Sequence, residues 1–145
     1  MSLIQQLNDK LGAIPEWFIA LLIRVAAAVP FWISARTKVD GWQIWNVNDS
    51  AVFLFEHEYQ LPIIAPQIAA TLAGLSEHVF AILLVVGLLT RLGALGLLAM
   101  TLVIQLFVYP SAWTVHILWA GLLVYVIGRG PGAASLDRIL GIEKS

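Results

Sequence analysis

The sequence has no cysteine and little charge. Without thiols the chain itself can form no disulfide, hold no thiolate-bound metal and run no dithiol reaction. Redox chemistry through a bound cofactor or a partner stays open. Charged residues make up 12% of the 145 residues, about half the share of an ordinary soluble domain. Eight basic side chains nearly cancel nine acidic ones, leaving a net charge of −1. No nucleic-acid partner is expected from such a balance. Residues 1–14 lack a basic start and a short apolar core, so they do not read as a cleavable leader. There is also no internal repeat of the kind that marks inverted-repeat transporters.

Apolar residues fill the space left by those absences. They amount to 60% of the chain, and the mean hydropathy is +0.88. A chain so poor in polar groups cannot cover its own surface in water, so lipid is the natural solvent. Four runs are long enough to cross a bilayer as helices, which takes about 20 residues each. They span 16–35, 67–89, 92–109 and 112–128, within one membrane domain covering 1–145. The expected fold is all-α: an integral membrane four-helix bundle with two surface additions. One is a short amphipathic N-terminal helix, since Ile4, Leu7, Leu11 and Ile14 fall on one stripe. The other is a surface helix in the long connection 36–65, capped by Asn48, Asp49 or Ser50 and apolar through Val52, Phe53, Phe55 and Tyr59.

Short turns at Thr90-Arg91 and Pro110-Ser111 make neighbouring spans antiparallel, and Gly128 to Gly132 stops the last one. Ser135 can cap a final short helix. Four crossings put both termini on one side, with Lys10, Arg91, Arg129, Arg138 and Lys144. The other side holds Arg36 and Lys38. The positive-inside rule then places both termini in the cytoplasm. Gly93 and Gly96 on the third span offer a surface for pairing with a second copy.

Candidate chemistry lies where these spans carry polar groups. Arg24, Glu77, His78, Gln105 and His116 all fall in the middle of their runs. At about 1.5 Å per residue they come out roughly 12–20 Å from the terminal side of a core about 30 Å thick. Buried ionisable groups are costly in lipid and call for partners. The expected arrangement is a buried Arg24–Glu77 pair, with His78, Gln105 and His116, and Thr101 nearby, completing the hydrogen bonds. This layer reads either as a structural lock or as a site for a small polar or quinone-like ligand or a proton path. Haem held by His78 and His116 is geometrically conceivable, but no cytochrome motif supports it. Glu56-His57-Glu58 does not make a metal site, because adjacent side chains on a helix point about 100° apart.

Several of these pieces occur in a familiar order. Arg24 is followed by Lys38, then Glu77 before Gly87-Leu88-Leu89-Thr90-Arg91. His116 comes next, then Gly128-Arg129-Gly130-Pro131-Gly132 and Ser135-Leu136-Asp137. Over roughly residues 20–140 the chain resembles the DoxX family of small bacterial membrane proteins. The resemblance implies a four-helix bundle in the inner membrane. It also implies a link to redox systems, since some members are similar to subunits of a thiosulfate:quinone oxidoreductase and others are linked to membrane-associated oxidative-stress complexes. Arg24, Lys38, Glu77 and His116 are the positions that carry over as ligand-binding candidates. The expected role is a membrane subunit or docking partner of a redox protein, not an enzyme acting alone, with a quinone as the implied ligand. A non-enzymatic scaffold and a small transporter or proton carrier are the alternatives. Arg36, the loop tryptophans Trp42 and Trp45, and Glu56-His57-Glu58 have no counterpart in the family pattern.

Overall fold

The structure is a computed structural model, and it describes residues 2–143; Lys144, counted above among the charges of the terminal side, lies outside the described residues. Seven α-helices follow one another: α1 Leu3–Gly12, α2 Glu16–Thr37, α3 Asp49–His57, α4 Pro66–Val86, α5 Thr90–Val103, α6 Trp113–Arg129 and α7 Leu136–Ile139. Among the described residues the only β pairing is an isolated bridge between Val39 and Val47. With the turns that extend α5 and α6, four helices are long and apolar enough to cross a membrane. Their outer faces expose Leu22, Ile33, Leu72, Leu95, Leu102 and Leu118, the surface that lipid must cover.

The bundle is assembled on small residues. Helix α2 buries Ala20, Ala27, Ala28 and Ala35, and α4 buries Ala70, Gly74 and Ala81. These two helices form the largest contact in the molecule. In lipid, helices associate through close packing, which short side chains permit. Gly93 and Gly96 serve the same purpose between α4 and α5. A Cβ on Gly96 would lie 2.5 Å from the Phe80 ring, and one on Gly93 3.0 Å from Leu84. Both glycines are thus filled from within the bundle. The expectation that they form a face for a second copy is corrected: α4 already occupies it.

Helix ends follow local chemistry. Ser2 and Gln5 form a capping box on α1, and every residue of that helix is exposed. Its apolar stripe therefore has no protein partner among the described residues. Pro30 does not end α2, which continues to Thr37. Helix α4 ends in a glycine cap: Gly87 is left-handed (φ 72°), and the Gly87 and Leu88 N–H groups donate to Leu83 O at 2.9 and 3.0 Å. The turn is therefore 87–89 rather than Thr90-Arg91, and Thr90 opens α5. Asn48 caps α3 through Ala51 N at 2.8 Å. Helix α3 then lays Ala51 and Phe55 against Ala69 and Ala70 of α4, folding over the mouth of the bundle.

The other departure from a plain helix is at the end of the third span. Residues Ile104–Val108 form a π-helical turn, closed by Tyr109 N donating to Ile104 O at 2.8 Å. The next residue, Pro110, has no N–H to carry an α-helical ladder on. Such turns re-aim side chains, and Gln105 is on this one.

Candidate functional site

Each end of the bundle holds one buried charged cluster. At the end that carries the termini, Arg24 is 0% exposed. Its Nη1 donates to Leu84 O and Val85 O at 3.0 and 3.1 Å, and its Nη2 donates to Ala134 O. These carbonyls include the last ones of α4, which no helical N–H satisfies. Asp137, 1% exposed, caps the next helix: it accepts from Leu89 N at 2.7 Å, Thr90 N at 2.9 Å and Thr90 Oγ1 at 2.7 Å. Helix α5 has no side-chain cap of its own, so a residue nearly fifty positions away supplies it. Burial works to raise the Asp137 carboxyl. The Thr90 and Leu89 hydrogen bonds and the nearby Arg24 charge outweigh it, and the carboxyl ends below its ordinary value. Gly87 leaves room for Arg24 and Ser135: a Cβ there would sit 2.4 Å from Arg24 Nη1 and 2.5 Å from Ser135 Cβ.

At the opposite end, Lys38 follows the last turn of α2 and meets Glu77 from α4. Lys38 Nζ lies 2.8 and 3.1 Å from the two carboxylate oxygens. Ser34, one turn before Lys38, donates to Glu77 Oε1 at 3.0 Å and accepts from Lys38 Nζ at 2.7 Å. Lys38 also donates to Ser34 O at 3.2 Å, so its three donors are used. Lys38 is 9% exposed and Glu77 3%.

The expected Arg24–Glu77 pair is therefore not formed. The reason lies in side-chain direction. Helical side chains lean toward their own N-terminus. In α2 that direction is toward the terminal end, and in antiparallel α4 it is toward the α3 end. Arg24 and Glu77 start at similar depth and lean apart. Lys38 is left as the cation within reach of Glu77.

A cavity of about 490 Å³ opens above this pair. Ser34, Lys38, Ser76 and Glu77 provide its polar floor. Leu72, Ala73, Met100, Val103, Ile104 and Trp119 line the walls, and Leu54, Phe55, Tyr59 and Tyr109 form the roof. His116, 5% exposed, also faces it. Gln105 sets the imidazole: its amide nitrogen donates to Pro110 O at 2.8 Å, so its oxygen accepts from His116 Nδ1 at 2.7 Å. By that assignment Nε2 carries the lone pair. A smaller recess of about 260 Å³, lined by Leu98, Leu102, Trp113 and Ile117, lies on the other side of His116.

The roof is held by a hydrogen-bonded chain. Tyr109 Oη donates to Glu58 at 2.7 Å and meets Tyr59 Oη at 2.9 Å. Those bonds, the Tyr59 one first, hold the Tyr109 phenol above its ordinary range. Glu56, His57 and Glu58 do not converge. His57 Nδ1 bonds to Phe53 O and its ring stacks on Phe53, while Glu58 turns to Tyr109.

Of the six candidate residues, Lys38, Glu77 and His116 share the cavity, and Gln105 orients His116. Arg24 belongs to the terminal-end cluster. His78 faces away from the cavity. Its Nδ1 donates to Gly74 O at 2.7 Å, its ring meets Trp32 edge-on, and Nε2 is buried without a partner. His78 and His116 thus face no common space, and a haem between them does not fit. Thr101 bonds back to Leu97 O and joins neither cluster. Ser34, Tyr59 and Tyr109 were missed. Ser34 was detectable as the i−4 neighbour of Lys38; the tyrosines are brought in by α3 and the π turn, which no local pattern announces.

The fold and its apolar exterior define a multi-pass membrane protein built on a four-helix bundle. The DoxX family model matches residues 19–110, and the chain belongs to the DoxX family. That match includes Arg24, Lys38, Glu77 and Gln105 and stops before His116 and Asp137, short of the 20–140 suggested by the motifs. Neither the curated proteins nor the solved structures include a match to the chain.

Proposed function

We propose that the protein is a membrane subunit or docking partner of a redox system, and that its cavity takes a quinone-type ligand. One observation carries this reading. A hydrogen-bonded Lys38–Glu77–Ser34 triangle forms the floor of an otherwise apolar space of about 490 Å³. Small-molecule sites have that composition: apolar walls and a few fixed polar groups. By exchanging its bond to Ser34 O, at 3.2 Å the longest it makes, Lys38 can donate to a quinone carbonyl, and Glu77 Oε2, which accepts one bond, can take another from a quinol hydroxyl. His116 Nε2 offers a further acceptor. The recess behind His116 opens the α5–α6 side to lipid, the source of such ligands.

On this reading the chain sits in a bacterial inner membrane with both termini in the cytoplasm. Lys10, Arg91, Arg129 and Arg138 support that orientation. At the other end Lys38 is already neutralised by Glu77. A redox protein would dock at one of the two membrane faces and exchange ligand with the cavity.

The test is saturable binding of a short-chain quinone to the protein purified in mild detergent, followed by quenching of tryptophan fluorescence and competition with the quinol. Micromolar, competable binding supports the reading. Only non-saturable partitioning, the same as into empty micelles, would reject it. A second reading, a scaffold in which Lys38–Glu77 is a structural lock, is favoured by the full use of Lys38's donors; it predicts no ligand binding at all.

A further inference from the structure

We propose that the terminal end carries a second site, for the headgroup of an anionic phospholipid. A cavity of about 370 Å³ lies there, away from the Lys38–Glu77 floor, and three guanidinium groups line it: Arg91, Arg129 and Arg138. Two carboxylates, Glu16 and Glu143, share the lining. Glu143 is committed to Arg91, which it bridges through Nε at 2.7 Å and through Nη2. Arg91 is also tied by Nη1 to the carbonyls of Ile127 and Gly128. The Arg129 and Arg138 side chains make no hydrogen bond among the described residues. Against them stands Glu16 alone, so the free charge of the cavity is positive.

The level of the site identifies the source of the anion. Glu16 is the first residue of α2, Arg91 the second of α5 and Arg129 the last of α6. All three mark the ends of membrane spans, the depth of lipid phosphates. Trp17 lines the same cavity and is half exposed, as tryptophans at the headgroup level are. Basic pockets at the ends of spans are suited to lipid phosphates. The cavity is also built rather than incidental. The loop Gly130 to Gly132 wedges between α2 and the Arg91–Glu143 bridge. A Cβ on Gly132 would lie 2.5 Å from Ala20 Cβ, and one on Gly130 2.9 Å from Arg91 Nη2; both glycines have positive φ. The exposed apolar stripe of α1, joined to α2 by a short turn at Pro15, gives the neighbouring segment a lipid-facing side.

The experiment uses the full chain in nanodiscs of zwitterionic lipid, with phosphatidylglycerol added at a small mole fraction. Lipid retained on release from the disc is counted by native mass spectrometry. The wild type is expected to enrich phosphatidylglycerol over the bulk. The pair Arg129→Gln with Arg138→Gln should lose about 30-fold of that preference, from roughly 1 kcal/mol per arginine near a membrane surface. Both residues are exposed, so the fold should survive, which circular dichroism checks; Arg138→Gln alone should lose about 5-fold. Lys10→Gln, at the same end but outside the cavity, should change nothing. Equal enrichment in the wild type and the double variant overturns the proposal. So does an equal loss with Lys10→Gln, which would mean diffuse attraction. Displacement of the lipid by millimolar glycerol phosphate would also overturn it, by making the site one for a free phosphate.

Discussion

The two ends of the bundle each bury a cation and a carboxylate, yet they use them differently. At the terminal end Arg24 and Asp137 are spent on the backbone: one closes the carbonyls of α4 and the other caps the N–H groups of α5. The packing around them is tight: a methyl group at Gly87 would already collide with Arg24. At the α3 end Lys38 and Glu77 are bonded to each other and to Ser34, with a cavity of about 490 Å³ above them. A charge fixed by main chain in a filled space has one task, to hold elements together. A charge fixed by side chains at the wall of a cavity can exchange partners with a ligand.

The sharpest way to break this comparison is at Asp137. Asp137→Ala leaves the buried Thr90 N–H, the part-buried Leu89 N–H and the nearby Arg24 charge uncompensated. It should cost about 3–5 kcal/mol, read by thermal or denaturant unfolding in detergent. A loss under 1 kcal/mol would show that the cluster is not structural. The same group gives a pH dependence with a fixed sign. Its folded value is depressed, so its stabilisation is present above the unfolded value of about 3.9 and is lost as pH falls through the lower folded value. Melting temperature should therefore drop between pH 5 and pH 2, and Asp137→Asn should flatten that part of the curve.

Smaller effects sharpen the other end. Tyr109→Phe removes the hydroxyl shared by Glu58 and Tyr59 and should cost about 1 kcal/mol. Because those bonds hold the roof, hydrogen exchange in α3 should speed up while that in α4 stays unchanged. Glu143→Gln should be the mildest change. The Arg91–Glu143 bridge is partly exposed, and such pairs contribute about 0–1 kcal/mol; a larger loss of melting temperature would mean that the C-terminal segment is an integral part of the bundle.

The spans, the two surface helices and the Asn48 and Ser135 caps were legible in the sequence, because apolar length and local capping chemistry determine them. Glu77 and His116 were legible as candidates for a related reason: polar groups stand out in apolar runs. Lys38, in the connection after the first span, came as a candidate only through the family resemblance. The pairing of these groups was not legible. Depth along the axis placed Arg24 beside Glu77, but depth ignores the lean of side chains in antiparallel helices, and Arg24 took main-chain partners below. His78 looked equivalent to Glu77, one residue away, yet the helical turn of about 100° per residue puts it on another face. The role of Asp137 depends on a contact across forty-seven positions, which no local pattern encodes.

The most direct test replaces the Lys38–Glu77 pair by apolar groups of similar size, as Lys38→Met with Glu77→Leu. Swapping a whole buried pair in this way is often close to neutral for stability. Quinone titration of that double variant is the decisive measurement. The account predicts a folded protein that melts within a few degrees of the wild type and has lost saturable quinone binding. A folded double variant that binds the quinone as the wild type does would contradict it.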